Sequence, residues 1–146
     1  MTKKFIVTTI LLLISSVSLA DELKLEYWKE QYSYCISNSP IVLIGGITGL
    51  SPLKFNDGGK GYGYTQFEVS VKTITSIKNV TPKNFTYKVW LEGKEGEVPK
   101  LQGEAFLSLE KSPQGDFIDP EGFGRLPINR QLKQYAISLS ATAVNK

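Results

Sequence analysis

Residues 63–74, GYTQFEVSVKTI, alternate apolar and polar side chains almost without a break. A period of two places Thr65, Phe67, Val69, Val71 and Thr73 on one face and Gln66, Glu68, Ser70 and Lys72 on the other. Such a strand buries one side and wets the other, so it requires antiparallel neighbours around one apolar interior. The segment FTYKVWLE (85–92) repeats the pattern, with Phe85, Tyr87, Val89 and Leu91 inward and Trp90 outward beside Thr86 and Lys88. The chain is therefore expected to be mostly β.

The remaining segments are read against these two strands. Ile41–Leu50 is an apolar, β-branched run interrupted by Gly45, Gly46 and Gly49, which marks a bulged and strongly bent first strand pairing with 63–74. Residues 51–61, SPLKFNDGGKG, carry turn chemistry and predict a hairpin tip. Residues 79–84 form a second turn, 93–103 a charged loop, and 104–110 a fourth strand. Residues 111–124 predict a long irregular crossing, 125–133 a short strand or turn, and 134–144 a closing strand with Tyr135, Ile137, Leu139, Ala141 and Ala143 on one face. Before the first strand, residues 21–38 are amphipathic and free of Gly and Pro, which predicts a helix over 26–37 after an extended lead. Its stripe is Leu23, Tyr27, Tyr34 and Cys35, flanked by Trp28, and Ser39-Pro40 ends it. The expected fold is all-β with one N-terminal helix, closed as a small five-stranded antiparallel barrel spanning 41–146 after a 21–40 extension. The bent first strand would serve both halves of that barrel.

Residues 1–20, MTKKFIVTTILLLISSVSLA, run from Lys3 and Lys4 through an apolar core to Ser18-Leu19-Ala20. That order is a secretory signal peptide cleaved after Ala20, and its apolar run is short for a membrane span. The expected location is periplasmic or secreted, with no membrane span after cleavage. Lys3 and Lys4 are lost from 17 basic residues against 14 acidic ones, leaving a nearly neutral chain with interspersed charge, which argues against a nucleic-acid partner. A lone cysteine, Cys35, forms no internal disulfide and is a buried small hydrophobe, an intermolecular partner or a spare thiol. With no histidine in the chain, Ser-His-Asp and Cys-His nucleophile systems and histidine-ligated zinc are excluded.

The succession SPIVLIGGITGL, YTQFEVSVKTI, FTYKVWLEG, a glycine followed by EAFLSLEK, and GFGRLPI resembles the OB-fold domains of the netrin-like class, which includes the tissue inhibitors of metalloproteinases. The resemblance spans about residues 39–128 and implies an OB-like barrel with a protein-binding role. The metalloproteinase inhibitors of that class chelate their target's metal through an N-terminal cysteine and are laced with disulfides. Here the mature chain would begin Asp21-Glu22-Leu23, so that mechanism does not carry over.

Two groups of side chains bear on function. Asp116, Asp119 and Glu121 in QGDFIDPEG are the densest acidic cluster; they pose the alternatives of a cation loop, a carboxylate pair for hydrolysis, or a solvated loop. Lys60, Phe55, Tyr62 and Tyr64 interleave around the first hairpin, and with the outward Trp90 they form the candidate binding set, since OB-type loops bind by stacking aromatics. The contact surface is expected on 51–64 and 93–103. The expectation is a non-catalytic, cofactor-free, metal-free protein that binds another macromolecule, such as an envelope enzyme that it inhibits or to which it confers immunity. A polysaccharide- or peptidoglycan-binding module is the alternative, and a carboxylate-dependent hydrolase the second.

Overall fold

The computed structural model describes residues 21–122 and 124–143. The expected signal segment, 1–20, lies outside them. Residues 21–38 are helical (α1), so the expected extended lead is instead part of the helix: this stretch has one β-branched residue, Ile36, and favours helix throughout. The stripe is also rotated from the expected one. Leu25, Trp28, Tyr32, Cys35 and Ile36 pack inward, at the spacing of a helical face, while Leu23, Tyr27 and Tyr34 are exposed. The helix stops where Pro40 forbids another turn, with the Ser39 N–H donating to the Cys35 carbonyl at 2.8 Å.

Six strands follow: β1 Ile41–Asp57, β2 Tyr62–Lys78, β3 Asn84–Lys94, β4 Gly103–Lys111, β5 Phe117–Asp119 and β6 Arg125–Leu126. β1 pairs antiparallel with β2 along one edge, from Val42↔Lys78 to Asp57↔Gly63. Its first half pairs with β4 along the other, from Ile41↔Leu109 to Ile47↔Gly103. β2 pairs with β3, β3 with β5, and β5 with β4, so the pairings run β1-β2-β3-β5-β4 and return to β1. β6 adds to β4.

Three features depart from expectation. The segment read as a turn from Ser51 continues as strand to Asp57, because its backbone groups find partners on β2 and only residues 58–61 are left to turn. The irregular crossing contains β5, which runs parallel to β3, so the sheet has six strands and is not wholly antiparallel. The expected closing strand is a helix, α2, Arg130–Ala143. Asn129 caps it: its side-chain Oδ1 accepts the Leu132 N–H at 2.8 Å and its carbonyl accepts the Lys133 N–H at 2.9 Å.

The strands bury two cores. Ile41, Leu43, Ile47, Phe67, Val69, Val71, Tyr87, Val89, Ala105, Leu107 and Leu109 form the interior, and the alternation of β2 and β3 reaches it as expected. β1 and β4 carry apolar residues on both faces. Val42, Ile44 and Phe106 point outward beneath the two helices, where they meet Tyr32, Leu132 and Ala136. The register of β1 on β2 shifts between Ile44 and Gly45 and again between Ile47 and Gly49, which bends the strand. At Gly45 a Cβ would lie 2.6 Å from Val71 Cγ1 and 3.2 Å from Leu107 Cδ1, so this tight point has no room for a side chain.

Candidate functional site

The β1–β2 hairpin extends beyond the part of β1 that β4 covers. Its tip is set by local bonds: the Gly59 N–H donates to Asp57 Oδ1 at 2.8 Å, the Gly58 N–H to the Tyr62 carbonyl at 2.9 Å, and Lys60 takes a left-handed φ of 57°. The Glu95 N–H donates to the Gly61 carbonyl at 2.9 Å, which ties the tip to the chain leaving β3.

The register divides the five candidate binding residues. Tyr62 faces Lys94 across the β2–β3 pair, Tyr64 faces Glu92, and Gln66 faces Trp90. Directly opposed residues share a face, so Tyr62, Tyr64 and Trp90 lie on one outer surface. The tyrosines are 48% and 51% exposed and Trp90 is half-buried. Phe55 opposes Thr65 and lies on the other face, beside Pro52, Leu53 and Val98 in a shallow groove. Lys60 is exposed in the turn. The structure therefore brings three of the five together and sends Phe55 elsewhere.

The acidic cluster is divided as well. Asp116 is exposed and pairs with Lys88 at 3.0 Å, Glu121 is exposed, and Asp119 is 4% exposed. Asp119 Oδ1 accepts the Gly122 N–H at 3.1 Å and Oδ2 the Gly124 N–H at 2.9 Å. Burial raises its pKa, and these backbone donors partly offset the rise. Among the described residues no three His, Cys, Asp or Glu side chains are placed to hold a metal ion. Cys35 is half-buried against the helix-covered core; desolvation raises its thiol pKa, against a hydrogen bond from Ser108, which keeps it in the less reactive protonated form.

The interior opens at one end into a cavity of about 310 Å³. Phe67, Val89 and Leu91 line its apolar part, and Pro99 and Leu101 lean over it from the loop after β3. Thr65, Tyr87, Asp119 and Arg125 also line it. Sequence reasoning placed Thr65 and Tyr87 inward but did not mark them as functional; polar groups on an otherwise apolar inward face were the available signal. Compared with protein-family models, curated proteins and solved structures, the chain matches none of them.

Proposed function

We propose that the chain is an exported, non-catalytic protein, its circuit of strands an OB-like barrel, which binds another macromolecule through the outer face of β2 and β3. The observation that carries this reading is the alignment of Tyr62, Tyr64 and Trp90 on one surface of a hydrogen-bonded ribbon. Large exposed aromatics on a rigid support lose little entropy on contact and are enriched at interfaces. Lys94 and Glu92 oppose the two tyrosines and supply charge of both signs, which suits the mixed polar rim of a protein partner. An envelope enzyme that the chain inhibits, or to which it confers immunity, is the partner class. The engagement of Asp116 by Lys88 and of Asp119 by the Gly122 and Gly124 amides supports a binding protein over a hydrolase.

Immobilised wild-type protein and a Tyr62→Ser/Tyr64→Ser/Trp90→Ala variant, challenged with envelope extract from the source cells, test the reading. A protein retained by the wild type and lost from a variant that still folds supports it. Equal retention contradicts it, and co-sedimentation of the wild type with peptidoglycan would assign the face to glycan instead. Intact mass of the protein recovered from those cells should place the N-terminus at Asp21.

A further inference from the structure

The cavity at the open end of the strand circuit contains hydrogen-bonding groups that the fold leaves unused. Tyr87 is 2% exposed and Thr65 7%, both line the cavity, and neither hydroxyl hydrogen-bonds to another described residue. Among the described residues, no fully enclosed side-chain nitrogen or oxygen lacks a partner. The Tyr87 and Thr65 hydroxyls therefore keep open surface; Tyr87 borders this cavity, and Thr65 borders both it and the groove beside Phe55. Asp119 and Arg125, which line the same space, both act electrostatically on the Tyr87 hydroxyl. Hydroxyls that open onto a cavity are free to hydrogen-bond to an occupant, and each such bond contributes about 0.5–1.5 kcal/mol net.

We propose that this cavity is a binding site for a small neutral molecule with an apolar, ring-sized body and one hydroxyl or carbonyl group, held by the Tyr87 and Thr65 hydroxyls. The volume of about 310 Å³ is at the lower end for ligand sites, and an apolar lining with a few inward polar groups is their usual make-up. The apolar body rests on Phe67, Val89 and Leu91, beneath Leu101. Neutrality follows from the groups that would touch the occupant: hydroxyls on an apolar wall do not repay the desolvation of an ion, and the charged residues at the lining are of both signs, Lys94 and Arg125 with Glu92, Glu97 and Asp119. Glu92 and Lys94 border both this cavity and the outer aromatic face, but Thr65 and Tyr87 point inward and Tyr62, Tyr64 and Trp90 outward, so variants at the two hydroxyls test the cavity independently of the proposed macromolecular partner.

The experiment uses the purified protein, with phenol and toluene as probes and backbone amide shifts as the readout. Phenol should bind saturably and move the amides of Val89, Leu91 and Leu101. Tyr87→Phe, which keeps the ring, should weaken phenol about 2- to 12-fold, the equivalent of one net hydrogen bond, and leave toluene unchanged. Thr65→Val is the second variant, expected to act in the same direction. Absence of saturable shifts at the cavity, shifts confined to the β1–β2 ribbon, or equal phenol affinity in wild type and both variants would overturn the proposal. The mapping on the wild type decides the matter even if a variant fails to fold.

Discussion

The Asp119 carboxylate and the Gly124 amide hold the 119–124 loop against the sheet: Asp119 Oδ2 accepts the Gly124 N–H at 2.9 Å, while the Gly124 carbonyl accepts the Ser108 N–H at 2.7 Å. A Cβ on Gly124 would collide with the Ser108 carbonyl oxygen and press on the Asp119 carboxylate. Backbone occupies that space, so no rotamer change relieves the clash. Gly124→Ala is expected to cost about 1–3 kcal/mol, read as a lower urea midpoint at unchanged m value.

Asp119 also makes stability depend on pH. Burial is the largest influence on its carboxyl and raises the pKa; the Gly124, Gly122 and Glu121 amides lower it, and the Glu121 charge raises it. A native pKa above the unfolded value of about 3.9 means that the folded chain takes up the proton more readily than the unfolded chain. The stability owed to this group is complete below the unfolded pKa and is lost as pH rises through the native one. Asp119→Asn cannot titrate, so the free-energy gap between wild type and variant should widen in favour of the wild type as pH falls from about 7 to about 4. Urea unfolding of both proteins across that range measures it, and a gap independent of pH contradicts the assignment.

Tyr32 couples α1 to the sheet in two ways. Its ring stacks on Phe106 with centroids 3.9 Å apart, and its hydroxyl donates to the Pro127 carbonyl at 2.6 Å. Tyr32→Phe removes the bond and leaves a carbonyl short of a partner, which should cost about 1–3 kcal/mol. Tyr32→Ala also empties the space over Phe106 and should cost about 3–5 kcal/mol. The difference between the two variants, from thermal or urea unfolding, separates the ring's contribution from that of the hydroxyl.

The inward faces of β2 and β3 were legible because one period governs them from end to end and the register of Tyr62–Lys72 on Asn84–Lys94 never shifts. Phe55 was grouped with the hairpin aromatics because 51–61 reads as a turn; β1 instead continues to Asp57, and past the irregularity between Pro52 and Lys54 it pairs Phe55 with Thr65 on the inward face. The C-terminal helix was misread for a different reason. Tyr135, Ile137 and Leu139 satisfy a period of two, yet Leu132, Tyr135 and Ala136 satisfy a helical one equally well, and docking of the latter set beside Phe106 decided between them. The unused hydroxyl of Tyr87 was beyond sequence reasoning. Alternation predicts that a side chain points inward, but whether its polar end finds a partner depends on chains brought together by folding.

Asn129 gives that helix a testable start. Its side chain accepts the Leu132 N–H, one of the amide donors that the first turn leaves without an intrahelical partner. The same turn delivers Leu132 to the core beneath the helices, where it and Ala136 are buried. Loss of the cap therefore frays the end of α2 that packs rather than a solvated one. Asn129→Ala should cost about 0.5–2 kcal/mol, whereas Asn129→Ser or Asn129→Asp, which keep an acceptor, should stay close to wild type. For a domain of this size that is a fall in Tm of a few degrees. Equal Tm values for the alanine and serine variants would show that packing of Leu132 and Ala136 alone sets where α2 begins.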